Sequence, residues 1–164
     1  MGQPNLDKYL LSKASKLKCI INVESNFMDN LDYDYCFKKN IHVIATSPVF
    51  SKPVAEIALG MTLSLLRNIH NAHFDFIKSK EKYGLESNLQ ASLLTNKKIG
   101  LLGFGDLAKS LYPLLLPFSK NINVYDPWIP KSKIKKIGFN PINLNKMFSS
   151  CEVIYVLATI TKKN

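Results

Sequence analysis

A glycine-rich turn lies between a short apolar run and an amphipathic segment, and few folds accommodate that arrangement. Residues 97–102 change from polar to apolar, which predicts a buried strand, and residues 103–108 follow directly as a G-x-G-x-x-A turn. Apolar residues then recur at spacings of one, three and four as far as Leu115, which predicts a helix packed on a sheet. A second strand is predicted over residues 122–125 and ends in Asp126. The stretch therefore predicts a β-α-β unit.

Each small residue of the turn has a physical role. Gly103 permits a tight turn out of the strand, Gly105 lets the backbone approach a pyrophosphate, and Ala108 lets the helix pack close to the strand. Asp126 follows Gly103 by 23 residues, a spacing that suits a carboxylate accepting hydrogen bonds from an adenosine ribose. The context favours a dinucleotide site. The alternative is a glycine-rich turn in an ordinary β-α-β unit that binds no nucleotide.

The net charge of +10 invites a comparison with nucleic-acid-binding proteins. Arg67 is the only arginine among the 22 basic residues, and the lysines are spread along the chain. A phosphate-binding surface would normally use arginine as well, and no aromatic residues alternate with the basic ones on the predicted strands. Compositional bias towards lysine explains the charge, and no nucleic-acid partner is expected.

Cysteine usage and hydropathy predict a cytoplasmic protein. The three cysteines, Cys19, Cys36 and Cys151, have no metal-binding spacing, which favours structural thiols in a reducing compartment. The N-terminus has no apolar signal core, and no run of 18 apolar residues is present, so no membrane partner is expected. His70 and His73 share a helical face but lack further ligands, and no metal site is predicted.

The first half of the chain predicts a second β-α-β rhythm followed by a long helix. Strands are expected over residues 17–21 and 41–45, with a helix over residues 30–39 between them. Residues 47–53 contain two prolines and are the clearest candidate linker. The longest helix is expected from about Val54 to His73, with Tyr83 as the alternative end, and its apolar residues cover most of its circumference. Such a helix is expected to be buried on several sides, which suits a position between two domains or in a subunit interface.

The second half predicts further alternation after Asp126. Short helices are expected over residues 132–137 and 144–148, and a buried strand over residues 151–157. The fold class is therefore α/β. We expect a boundary between a partial first domain, residues 1–48, and a nucleotide-binding domain, residues 49–164.

Taken together, these landmarks resemble the D-isomer-specific 2-hydroxyacid dehydrogenases, a family that includes phosphoglycerate, D-lactate and hydroxypyruvate dehydrogenases. The similarity extends from about residue 17 to residue 161 and resembles the centre of such an enzyme. The matching landmarks, in chain order, are residues 29–32, Pro48 with residues 54–56, residues 100–105, residues 125–127, and residues 152–154 with 158–159.

The resemblance implies an incomplete Rossmann-like doubly wound parallel sheet, part of a flavodoxin-like substrate domain, and NAD as the cofactor. It also implies hydride transfer between a 2-hydroxy acid and NAD, and a homodimer formed through the helix over residues 54–73. A carboxylate at the ribose favours NAD over NADP because it would repel a 2′-phosphate. The implied cofactor-binding residues are Gly103, Phe104, Gly105, Asp106, Leu107, Asp126, Ala158 and Thr159.

The resemblance implies a substrate-carboxylate loop at Ser25 and Asn26, where the chain departs from the family pattern. The family usually has glycine at the positions of Ser25 and Phe27. No catalytic residue is assigned, because the family's arginine, glutamate and histidine are expected further along than residue 164, and Arg67 does not match that arginine. The chain alone is therefore expected to be inactive. The alternative is a non-catalytic NAD-binding or interaction protein derived from the family.

Overall fold

The computed structural model describes residues 4–23, 27 and 29–158. The chain divides into two compact units, Met1–Phe50 and Ser51–Asn164. Each unit contains a parallel sheet, as the alternating pattern predicted. The expected domain boundary after residue 48 stays a prediction.

The first unit pairs two short strands with two short helices. Strands β1 and β2 are parallel, and Cys19 pairs with His42 at the start of the register. Asp32 caps the second helix by accepting a hydrogen bond from the Tyr35 N–H at 2.9 Å. Burial raises the pKa of Cys36, which lies in the small core, whereas Cys19 is exposed. The elements are α1 (Lys8–Lys13), β1 (Cys19–Asn22), α2 (Tyr33–Lys38) and β2 (His42–Ala45).

Residues 47–53, the predicted linker, form the start of helix α3 (Ser47–Leu66) rather than an irregular segment, and the division between the two units falls within them. A proline near the start of a helix leaves its missing N–H where no intrahelical partner exists, so Pro48 does not prevent helix formation. Pro53 lies further inside the same helix. Two prolines in seven residues therefore do not indicate irregular structure here.

The single helix expected over residues 54–73 is also wrong in its extent. Helix α3 ends at Leu66, and a second helix, α4 (Ile69–Ile77), follows Asn68. Asn68 has a left-handed backbone, with φ of +56° and ψ of +29°, so the helix cannot continue through it. Asparagine tolerates this conformation, so no glycine marks the end of the helix. The apolar periodicity continues past Asn68 and did not predict the break. A one-turn helix, α5 (Leu85–Asn88), follows.

Helix α3 is buried on one side only. Ala55 is fully buried, and Ala58, Leu59, Leu63 and Leu66 pack against the core of the second unit. The opposite side exposes Ile57, Met61 and Leu65 in the single chain, and the expected burial of that side in a subunit interface stays a prediction. By its length and its mean hydropathy of 1.4, this helix is apolar enough to cross a membrane. Of its 18-residue apolar stretch, 17% is buried inside the structure. The core helix of a water-soluble domain meets the same criteria.

A four-stranded parallel sheet forms the centre of the second unit, in the order β5-β4-β3-β6. This order corresponds to strands 3-2-1-4 of a Rossmann sheet. Strands β4 and β5 follow one another on one side of β3, and β6 lies on its other side. Strand β5 is only two residues long and was not predicted from the sequence. The elements are β3 (Ile99–Leu102), α6 (Asp106–Leu115), β4 (Ile122–Tyr125), α7 (Lys131–Lys136), β5 (Asn140–Pro141), α8 (Leu144–Ser150) and β6 (Val153–Val156).

The core of this unit lies between the central strands and helix α6. Ile99 and Leu101 on β3 and Ala108 and Leu111 on α6 have no exposed surface. The full burial of Ala108 agrees with its predicted role in close helix–strand packing. Because β3 is central and apolar on both faces, its carboxyl end is fixed from both sides. The glycine turn starts from this rigid end.

Candidate functional site

Gly103, directly after β3, needs to be glycine for reasons internal to the chain. Its backbone has a φ of +100°, and a Cβ there would lie 2.7 Å from the backbone nitrogen of Ala158. The Gly103 N–H donates to the Tyr125 carbonyl at 2.7 Å, and the Leu157 N–H donates to the Leu102 carbonyl at 2.8 Å. The segment after β6 therefore passes directly against the turn.

Gly105 needs no such explanation from within the chain. A Cβ at this position would meet nothing within 4 Å. Its backbone is extended, with φ of −82° and ψ of −164°, a conformation that other residues adopt readily. Gly105 is the N-cap of α6 and has no side chain to accept hydrogen bonds from the first turn. Open space therefore lies above Gly105, beside the N-terminus of α6, the end of a helix that favours an anion.

Phe104 lies between the two glycines and points into the protein. Its ring is 2% exposed and makes an edge-to-face contact with Phe139 at 4.6 Å between centroids. Tyr112 of α6 also makes an edge-to-face contact with Phe139, at 4.3 Å between centroids. The Phe104 N–H donates to Oδ2 of Asp126 at 2.8 Å. The peptide that joins Gly103 to Phe104 is therefore held at both ends.

The Asp126 carboxylate lies beside the glycine turn, at the end of β4. Its Oδ1 accepts the backbone N–H groups of Trp128 at 2.8 Å and Ile129 at 3.0 Å. Ile129 is partly buried against the core, whereas the Trp128 side chain is exposed. The sequence analysis did not assign a role to these two N–H groups. An aspartate followed by proline, which favours a turn closed by the aspartate side chain, was the available signal.

The structure brings most of the predicted cofactor-binding residues together. Gly103, Phe104, Asp126 and Ala158 are linked by the contacts above. Three predicted residues, Ser25, Asn26 and Thr159, lie outside the described residues.

Residues to which the sequence assigned no role in the cofactor site make contacts elsewhere in the structure. Arg67 donates to Oδ1 of Asn88 at 3.3 Å on the surface of the second unit. Across residues 4–23, 27 and 29–158, no three His, Cys, Asp or Glu side chains come together as a metal site would require.

In the first unit, the Thr46 hydroxyl donates to the Val23 carbonyl at 2.8 Å. That bond joins the carboxyl ends of β1 and β2 just before the predicted substrate loop.

Glu152 joins two strands of the larger sheet at their amino ends, opposite the glycine turn. Its carboxylate accepts the Lys98 backbone N–H at 2.9 Å and the Lys97 ammonium at 3.0 Å. The hydrogen bond from the Lys98 backbone, followed by the one from Lys97, holds the pKa of Glu152 below its usual value. This pair joins the starts of β3 and β6, the strands whose other ends carry the glycine turn and Ala158.

The fold and the position of the turn define the class of the second unit. A glycine turn at the carboxyl end of the central strand, with a carboxylate at the end of its neighbour, characterises a Rossmann-type dinucleotide-binding domain. Residues 59–164 match the family model described as D-isomer specific 2-hydroxyacid dehydrogenase, NAD binding domain. The match covers more than half of the chain, and the chain belongs to this family. NAD is the cofactor of the matched domain.

Curated relatives agree with this assignment. The chain is 28% identical over 154 residues to D-3-phosphoglycerate dehydrogenase of Bacillus subtilis, covering 94% of this chain and 29% of that protein. It is 26% identical over 169 residues to hydroxypyruvate reductase of Thermotoga maritima, covering 97% of this chain and 53% of that protein. The chain thus spans about half, or less, of the length of these relatives.

Solved structures give the same result. A phosphoglycerate oxidoreductase from Rhizobium etli is 40% identical with a TM-score of 0.75, and the match covers 96% of this chain and 52% of that one. A D-lactate dehydrogenase from Aquifex aeolicus, solved with NAD and lactic acid, is 26% identical with a TM-score of 0.77, covering 97% and 46%. The predicted fold class and family are both confirmed.

Proposed function

We propose that this chain supplies the NAD-binding part of a D-2-hydroxyacid dehydrogenase. The observation that carries the proposal is the 2.8 Å hydrogen bond between the Phe104 N–H and Asp126 Oδ2, which brings the candidate ribose carboxylate beside the glycine turn. In the proposed complex the pyrophosphate lies over Gly105 and meets the N–H groups of Asp106 and Leu107. The adenosine ribose meets Asp126, and Ala158 and Thr159 line the adenine side.

The proposed reaction is hydride transfer between C2 of a 2-hydroxy acid and the nicotinamide. The cofactor supplies the redox chemistry, and the protein positions the substrate and moves the hydroxyl proton. Ser25 and Asn26 are proposed to hold the substrate carboxylate. The family's arginine, glutamate and histidine are proposed to lie beyond the residues of this chain.

A titration of the purified 164-residue chain with NADH tests the cofactor site. Trp128 is the only tryptophan, so its fluorescence reports on binding near Asp126 without interference. We expect saturable quenching that ADP-ribose reverses, and weaker binding of NADPH because the Asp126 carboxylate repels a 2′-phosphate. Absence of saturable NADH binding would refute the proposed site.

The same preparation tests the placement of the catalytic groups. NADH oxidation with glyoxylate, pyruvate or hydroxypyruvate is expected to stay at the background rate. Measured turnover would show that the acid/base and the substrate-orienting groups lie within this chain. NADH binding without turnover is also what the second candidate, a non-catalytic NAD-binding protein, requires. The serine and phenylalanine at positions 25 and 27, where the family has glycine, favour that candidate.

We propose in addition that the protein forms a homodimer through helices α3 and α4 and is cytoplasmic. The dimer is supported by the row of exposed apolar side chains on α3 and by the absence of buried residues on α4. Exposed apolar area of this kind marks a surface that contacts another protein.

A further inference from the structure

Most of the hydrogen-bond acceptor positions of the Asp126 carboxylate are occupied by groups of the chain itself. An ionised carboxylate has about four acceptor positions, two on each oxygen. Backbone N–H groups of Trp128 and Ile129 occupy Oδ1, and the Phe104 N–H occupies one position of Oδ2. About one position, on Oδ2, is left for a ribose hydroxyl. The carboxylate thus makes more bonds to the chain than it can offer to a cofactor.

The bond to Phe104 reaches the residue that lies between the two glycines of the turn. Gly103 and Gly105 flank Phe104 and have no side chains to hold their peptide planes. The buried Phe104 ring fixes one side of its own residue, and Asp126 fixes the N–H on the other side. Without that acceptor, the peptide between Gly103 and Phe104 would be free to rotate towards water.

We propose that Asp126 is a positioning residue for the pyrophosphate corner as well as the ribose partner. Its carboxylate, through the Phe104 N–H, fixes the glycine turn in the conformation that points the Asp106 and Leu107 N–H groups at an anion. This inference rests on the proposed cofactor site and adds a second role for one of its residues. It makes pyrophosphate binding depend on a side chain that never touches the pyrophosphate.

Asp126→Asn separates this role from ribose recognition by the sign of its effect. The Asn carbonyl oxygen still accepts the Trp128 and Ile129 N–H groups, but its NH₂ group then faces the Phe104 N–H, and two donors cannot bond. If Asp126 served the ribose alone, removing its negative charge would leave inorganic pyrophosphate binding unchanged or strengthen it. Because Asp126 fixes the turn, the substitution weakens pyrophosphate binding instead.

Amide hydrogen exchange measured by NMR tests the contact without any ligand. In the wild-type chain we expect the Phe104 amide to exchange at least about tenfold more slowly than an unstructured amide in the same sequence context, because Asp126 Oδ2 accepts its hydrogen bond. In Asp126→Asn the Phe104 amide loses this protection, whereas the Trp128 and Ile129 amides keep theirs. A fast-exchanging Phe104 amide in the wild type overturns the proposal, even if the variant fails to fold.

Titration with inorganic pyrophosphate, followed by the amide shifts of residues 103–108, tests the consequence. We expect Asp126→Asn to weaken binding about tenfold, the factor for one charge-assisted hydrogen bond. Glu86→Gln is the control, because it removes one negative charge outside the proposed cofactor site, from an exposed pair with Lys82, and it should leave binding unchanged. Unchanged or tighter binding in Asp126→Asn overturns the positioning role.

The two proposals fail in distinguishable ways. If the wild-type chain binds neither NADH nor pyrophosphate, the proposed cofactor site is wrong, whatever the Phe104 amide does. If NADH binds and Asp126→Asn reduces NADH affinity but not pyrophosphate affinity, Asp126 reads the ribose alone and the positioning role is wrong.

Discussion

Gly103 and Gly105 stand two positions apart in the same turn, and their surroundings differ. Gly103 has a backbone that side chains rarely adopt and the Ala158 backbone where a Cβ would be. Gly105 has an ordinary backbone and open space. The motif records both as glycine, but one is required by the fold and the other by whatever occupies the space above it.

Alanine at each position is therefore expected to have a different effect. Gly103→Ala should lower the free energy of unfolding by on the order of 2 kcal/mol, from the left-handed backbone and the clash with Ala158. Gly105→Ala should cost no more than about 1 kcal/mol, since alanine is the poorer N-cap residue. The second variant should instead weaken NADH binding by about tenfold or more, because the methyl group enters the pyrophosphate space.

Urea denaturation and the Trp128 fluorescence titration measure these two effects in the same preparations. Each glycine variant is the control for the other. A Gly105→Ala protein that binds NADH as tightly as the wild type would contradict the pyrophosphate placement.

Glu152 gives a prediction with a defined pH dependence. Its folded pKa is depressed, so the stability it contributes is fully present above its unfolded pKa of about 4.3 and is lost as the pH falls through the folded value. Glu152→Gln should therefore lower the thermal midpoint at pH 7 by a small amount. The difference between the variant and the wild type should shrink below about pH 4.

Thermal scans of the two proteins between pH 3 and pH 7, a range set by the usual titration of glutamate, follow this difference. Glu86→Gln is a suitable control, because Glu86 makes only an exposed pair with Lys82 at 3.3 Å. A Glu152→Gln midpoint that stays equally depressed at all pH values would assign the effect to packing rather than to charge.

At the scale of elements, the break between α3 and α4 depends on a single left-handed residue. Asn68 adopts φ of +56° and accepts a hydrogen bond from Asn71 Nδ2 at 2.6 Å. Asn68→Ala should reduce stability by about 1 kcal/mol, since alanine disfavours this conformation more strongly than asparagine. Asn68→Gly should be close to neutral because glycine adopts it without strain.

Urea denaturation followed by helical circular dichroism measures the Asn68 series. If α3 and α4 formed one continuous helix, Asn68→Ala would stabilise the chain and Asn68→Gly would destabilise it, the reverse of the expected order.

Comparison with the sequence analysis shows why some elements were predictable. The stretch from β3 through α6 to β4 was predicted correctly, because a strand, a glycine turn and an amphipathic helix are encoded locally. The start of α3 at Ser47 was missed because its prolines resemble a linker, although Pro48 is compatible with a first helical turn. Strand β5 was missed because two residues carry no periodicity.

The candidate site was predictable in its residue types but not in its internal bonds. Spacing alone placed Asp126 near the turn, and the structure adds that the Phe104, Trp128 and Ile129 amides already occupy it. The approach of Ala158 to Gly103 joins residues far apart in the chain, and no local pattern contains that information.

At the scale of the whole molecule, the exposed face of α3 predicts association. Met61 and Leu65 are 60% and 65% exposed on a helix whose other side is in the core. We expect the chain to sediment as a dimer at micromolar concentration, and Leu65→Lys to sediment as a monomer, because a buried unpaired lysine is costly.

Ile137→Lys supplies the control, since Ile137 is half exposed at the end of α7, outside the proposed interface. Sedimentation velocity on the three proteins distinguishes the cases. A wild-type monomer, or a Leu65→Lys dimer, would contradict an interface on α3.

The order of the strands also has a consequence for the chain as it is synthesised. The Phe104–Asp126 bond closes over 22 residues, whereas the Lys98–Glu152 pairing that starts β6 closes over 54. The ribosome synthesises the chain from its N-terminus, so Phe104 and Asp126 are both made well before Ala158. The Ala158 backbone, which packs against Gly103, is therefore added last. We therefore expect nascent chains that expose residue 126 but not residue 158 to hold an incompletely packed turn, accessible to chaperones and proteases until β6 pairs with β3.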